Sequence, residues 1–134
     1  MVNEIKTIDD FTKAIGDETT GLVVIDFWAE WCGPCKRIAP FYSDLSKKYP
    51  NVGFYKINTD VPTVSEVLQA CEISAMPSFC FFVKGKYMDK IIGANQKKLE
   101  ESVVKNIPIV VPVEPVIEEK TKDEKTKDEE IILQ

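Results

Sequence analysis

The chain has 134 residues, 44% of them hydrophobic and 29% charged, with a formal net charge of −5 at pH 7. That length supports one domain with a full core and is short for two. The acidic balance offers no basic surface to neutralise phosphates, which excludes general nucleic-acid binding. No apolar run approaches the roughly 20 residues that span a bilayer, so no membrane role is expected.

Taken in chain order, "MVNEIKTIDDF" has neither the positive flank nor the apolar length of an export signal, so a cytoplasmic, reducing setting is expected. Residues 4–8, "EIKTI", read as a short strand, and 9–15, "DDFTKAI", as a helix starting near Asp9 or Asp10. "GLVVIDFW" is a β-branched apolar run, the pattern of a strand covered on both faces. From Pro34 to about Lys48 the apolar residues at 38, 41, 42 and 45 have helical spacing. Pro40 should kink that helix, because it cannot donate one turn back. "NVGFYKIN" is a further strand and "TVSEVLQAC" a further helix; "SFCFFVKGKYMDKIIG" reads as a hairpin with Gly85 in its turn. "NQKKLEESVVKNI" closes the body as a helix capped by Asn95. The order β-α-β-α-β-α-β-β-α predicts an α/β fold, a mixed sheet with helices on both faces.

The body, 1–107, is nearly neutral, whereas 108–134 carries eight acidic and four basic residues. From Ile107 the sequence runs "IPIVVPVEP", and "KTKDE" follows twice in succession at 120–129. Prolines followed by a charged repeat predict a linker and a solvated tail, not part of the core.

Chemistry concentrates in "DFWAEWCGPCK", residues 26–36. Cys32 lies where a buried strand ends, and Pro34 lies just inside the next helix, where proline is favoured. Unpaired N–H groups and the positive end of the helix dipole there favour a thiolate, the species that attacks disulfides. Cys35 follows on the same helical face, a spacing that permits a disulfide and lets the second sulfur resolve a mixed one. The chain contains no histidine, which excludes a Cys–His nucleophile. A structural zinc site is disfavoured, because the other cysteines, 71 and 80, are nine residues apart and not a second close pair. Those two read as small core or semi-exposed thiols, with oxidation of Cys71 as the lesser alternative. Asp26 sits among apolar neighbours, so burial should raise its pKa toward neutrality and fit it to accept a proton from Cys35. Trp31 beside the pair reads as an exposed contact surface, and Trp28, within the strand, as structural.

The segments "DFWAEWCGPCK", "KINTD", "MPSFCFFVKG" and "GANQKKLEESV", in this order and at these intervals, resemble the thioredoxin family over essentially all of 1–107. The resemblance implies the thioredoxin fold, a central mixed sheet of about five strands flanked by four helices. It implies a protein-disulfide reductase that carries electrons and maintains cell redox homeostasis. No bound cofactor is implied; electrons would come from NADPH through a flavoprotein thioredoxin reductase. Implied clients are oxidised proteins such as peroxiredoxins, ribonucleotide reductase and methionine sulfoxide reductases. By the same resemblance Cys32 and Cys35 form the redox disulfide, Asp26 is the proton acceptor and Lys56 stands close to it. Met76–Pro77 would be a cis bond facing the cysteines. Trp31, Gly33, Pro34, Ala75, Met76, Pro77, Ile92, Gly93 and Ala94 would then form the client-binding rim. Ser78 stands where threonine is frequent in the family. Two other readings compete: a redox-independent binding subunit using the body or the tail, and an oxidase or isomerase. The missing export signal and the Gly33-Pro34 dipeptide disfavour the last.

Overall fold

The computed structural model of the chain describes residues 1–17 and 20–108. The predicted linker and tail, apart from Pro108, therefore lie outside the described residues. The elements are β1 (Val2–Glu4), α1 (Ile8–Ile15), β2 (Leu22–Trp28), α2 (Gly33–Lys48), β3 (Val52–Asn58), α3 (Ser65–Ala70), β4 (Ser78–Val83), β5 (Lys86–Ile92) and α4 (Gln96–Asn106), with a 3-10 turn over Pro62–Val64. The five strands form one sheet in the order β1-β3-β2-β4-β5. β1, β3 and β2 run parallel, and β4 and β5 are antiparallel.

Strand periodicity sorts the core into two layers. In β2, Val23, Ile25 and Phe27 point to one side and pack with Phe11 and Ala14 of α1 and Val67 of α3. Leu22 and Val24 point to the other side and pack with Ile38, Tyr42 and Leu45 of α2 and Leu99 and Val103 of α4. Successive strand side chains alternate in this way by geometry alone. Asp26 shares the phase of Leu22 and Val24, so it belongs to the α2 side. Full burial of Phe27, Phe79 and Phe81 is worth about 1.5–3 kcal/mol for each side chain relative to exposure.

Two boundaries differ from the sequence reading. β1 runs over Val2–Glu4 and not 4–8, because Thr7 caps α1: its hydroxyl accepts from the Asp10 N–H at 3.0 Å. The helix read over 63–71 splits into the 3-10 turn and α3, with Cys71 as the C-cap. Pro40 lies on the exposed side of α2, which is assigned as a single helix from Gly33 to Lys48. Gly85 does turn the hairpin: Lys84 and Gly85 have φ of 53° and 80°, the positive pair a type I′ turn demands. Asn95 caps α4, its side chain accepting from the Lys98 N–H at 3.0 Å.

Candidate functional site

The strand β2 delivers the chain to the N-terminus of α2, and Cys32 is the residue at that junction. It is the N-cap, with extended backbone (φ −94°, ψ 107°), and its sulfur accepts from the Cys35 N–H at 3.2 Å. Sulfur thus occupies the place an oxygen usually takes at a cap, and any charge on it meets the positive end of the helix. Cys32 and Cys35 are joined in a disulfide with their Cα atoms 5.3 Å apart. The pair is well covered, Cys32 being 5% exposed and Cys35 buried. Trp31 beside it is 69% exposed, and Gly33 and Pro34 are also exposed.

A second segment approaches from β4. The Met76–Pro77 peptide bond is cis. Met76 packs against the cluster of Ala29, Cys32 and Cys35, together with Trp28. Pro77 is buried, and its carbonyl accepts from the Gly93 N–H at 2.8 Å. Ser78 then pairs with Ile92 in the sheet, and its hydroxyl donates to the Ala75 carbonyl at 2.6 Å. The structure in this way links Ala75–Ser78 to Ile92–Gly93. Gly93 has φ of 104°, a conformation open to glycine, and a side chain added there would meet nothing within 4 Å. Ala75, Ile92 and Ala94 are exposed.

Behind the disulfide, Asp26 is 4% exposed and pairs in register with Lys56 of β3. Its Oδ1 finds no hydrogen-bond partner among the described residues. Burial pushes the carboxyl pKa up from 3.8 to about 7, and the Lys56 ammonium offsets part of that rise. Lys56 Nζ lies 5.4 Å from the centre of the Trp28 ring. Asp26 and Lys56 both line a groove of about 850 Å³ together with Lys36, Pro40, Tyr42 and Lys47.

Sequence reasoning missed Tyr42. Its hydroxyl lies 2.7 Å from the Tyr55 carbonyl and 3.0 Å from that of Val24, tying α2 to β3 and β2 beside Asp26. Burial, and then the nearby Asp26 charge, hold this phenol well above its ordinary pKa. An apolar helical spacing concealed it, since Tyr42 falls on the same stripe as Ile38 and Leu45. Cys71 and Cys80 are both buried, and no cluster of three or more metal-ligating side chains occurs among the described residues. Nor is any helix among them long and apolar enough to cross a membrane.

Comparison with known proteins places this geometry in context. The thioredoxin family model matches residues 2–105. The chain is 50% identical over 105 residues to a thioredoxin-like protein of Acanthamoeba polyphaga mimivirus, covering 78% of this chain and 77% of that one. It is 49% identical over 107 residues to thioredoxin of Geodia cydonium, covering 79% and 99% of the two. The X-ray structure of Fasciola hepatica thioredoxin superposes with a TM-score of 0.73 at 38% identity, over 78% of this chain and 98% of that one.

Proposed function

We propose, because this chain belongs to the thioredoxin family and is a protein-disulfide oxidoreductase, that Cys32 is its attacking sulfur and Cys35 its resolving one. The observation that carries this reading is the placement of Cys32 as the cap of α2, within disulfide reach of Cys35. In the reduced protein the Cys32 thiolate attacks one sulfur of a client disulfide. A Cys32–client bond forms, the client S–S bond breaks, and the departing client thiolate takes up a proton. Cys35 then gives its proton to the Asp26 carboxylate and attacks the Cys32 sulfur, releasing the second client thiolate, which takes up a proton in its turn. The client gains two electrons and two protons, and the protein is left with the Cys32–Cys35 disulfide.

A carboxyl group with a pKa of about 7 supports the proton-accepting role, since a base works best near the operating pH. Lys56 keeps enough of the anion available for this by opposing the effect of burial. The backbone of Met76, turned by the cis bond to Pro77, is suited to pair with an extended client strand. Trp31, Gly33, Pro34, Ala75, Ile92, Gly93 and Ala94 complete the docking rim in this reading. The 1–107 body carries the chemistry, and 108–134 is an appendage to it. The protein is re-reduced by an NADPH-dependent flavoprotein thioredoxin reductase and serves cytoplasmic electron transport, with peroxiredoxins, ribonucleotide reductase and methionine sulfoxide reductases as the clients family membership suggests.

The test is reduction of insulin disulfides by the full chain. Cys32→Ser should abolish turnover, and Cys35→Ser should accumulate covalent client adducts on non-reducing gels. Substantial turnover by Cys32→Ser, or no adducts with Cys35→Ser, overturns the assignment.

A further inference from the structure

Cys71 and Cys80 take no part in the chemistry above, yet the fold seats them together. Cys71 closes α3 and Cys80 lies within β4, 2% and 0% exposed, in the core layer under α1 and α3. Both are free thiols of one core layer, and the ionisation of each responds to the other. Within this apolar layer two polar side chains reach the pair. The Tyr87 hydroxyl lies 3.8 Å from the Cys80 sulfur. Lys90, directly across the sheet from Cys80, donates its ammonium protons to the carbonyls of Cys71 at 3.3 Å and Glu72 at 2.8 Å.

These contacts divide the two sulfurs into unlike roles. Contact with Cys71 lowers the Cys80 pKa against the effect of burial, with Tyr87 and Lys90 adding to it. The same contact, followed by burial, raises that of Cys71. Of the two, Cys80 is the more readily ionised.

We propose that Cys71 and Cys80 form a second dithiol, which a hydroperoxide oxidises to an intramolecular disulfide. The Cys80 thiolate attacks the peroxide oxygen, the O–O bond breaks, and the departing alkoxide or hydroxide takes up a proton. Cys80 becomes a sulfenic acid. The Cys71 sulfur then attacks the Cys80 sulfur, the S–S bond forms, and the sulfenic oxygen leaves as water with the Cys71 proton. Two thiols give two electrons to one peroxide, yielding the disulfide, one alcohol or water, and one further water.

Burial selects the oxidant. A protein disulfide cannot reach a sulfur that is 0% exposed, whereas a small uncharged peroxide needs only a brief opening. Beside Cys80 in the sheet runs β5, an edge strand whose pairing with β4 is irregular between Phe81 and Phe82 and whose Tyr87 is 45% exposed. Edge elements with interrupted pairing open locally at low cost.

The experiment is mass spectrometry on the reduced full chain treated with hydrogen peroxide, quenched in acid, unfolded, alkylated and digested with trypsin. The peptide 57–84 holds Cys71 and Cys80 and no other cysteine, and the peptide 14–36 holds Cys32 and Cys35. Peptide 57–84 should lose two hydrogens and take up no alkyl label. In Cys71→Ser, Cys80 should instead accumulate as a sulfinic acid. The proposal is overturned if both thiols of the untreated and treated parent label equally while peptide 14–36 is fully oxidised, or if one is over-oxidised and the other stays free. Because the two pairs are read on separate peptides, failure here is distinct from failure of the Cys32–Cys35 mechanism.

Discussion

Replacing Asp26 by asparagine keeps the shape of the side chain and removes its titration. In the unfolded chain the carboxyl group titrates near 3.8, and in the folded protein near 7, because burial outweighs the attraction of Lys56. The folded state thus holds this proton more tightly than the unfolded state does. Its contribution is fully present below pH ~4, declines as pH rises, and is lost above pH ~7. A difference of roughly three pKa units at 1.36 kcal/mol each comes to about 4 kcal/mol. Asp26→Asn should therefore gain on the parent by about 4 kcal/mol between pH 4 and pH 8. At a urea m-value of about 2 kcal/mol/M, this separates the two midpoints by a further ~2 M at the higher pH. The assay is urea unfolding of both oxidised proteins across that range, conditions under which neither active-site sulfur titrates. What counts is the change of the difference with pH, since the amide's own hydrogen bonding shifts both ends alike. Midpoints that move in parallel from pH 4 to pH 8 would refute a buried, neutralised carboxyl group at this position.

Two further substitutions probe the frame around the site. Tyr42→Phe removes the hydroxyl shared by the Val24 and Tyr55 carbonyls and should cost about 1–3 kcal/mol in urea unfolding, the cost of leaving buried acceptors short of a donor. An unchanged midpoint would mean that this bond contributes nothing net. Gly85→Ala places a Cβ at φ 80° in the hairpin turn and should lower stability by about 1–2 kcal/mol, read as a fall in thermal midpoint. A variant as stable as the parent would show that the turn tolerates a different geometry.

Where sequence and structure agree, the signals are local. The apolar run of β2 marks a strand buried on both faces, and a single Asp within it already announces a perturbed carboxyl group. Pro34 behind Cys32 marks the start of α2, Asn95 the start of α4, and Gly85 the hairpin turn. What was not legible depends on competition or on distance. Thr7 is β-branched and suits a strand, but its hydroxyl is worth more as a cap, and β1 moves toward the N-terminus as a result. The meeting of Cys71 with Cys80 depends on how α3 packs on the sheet, which no spacing reveals. Its cross-strand neighbour was hidden too. Counting back from Gly85 without a bulge sets Cys80 opposite Asp89, and only the irregular pairing after Phe81 brings Lys90 there.

The alternation along the central strands also acts as a partition. Cys80 belongs to the layer beneath α1 and α3, whereas the Asp26 side chain that serves the Cys32–Cys35 bond faces α2, and Ile25 and Cys80 lie side by side in the closed sheet. The two cysteine pairs belong accordingly to separate clusters of the interior. Each pair keeps its own electron account, so a single chain can exist in four oxidation states, and a population poised for disulfide reduction can store a separate memory of peroxide exposure in the second cluster.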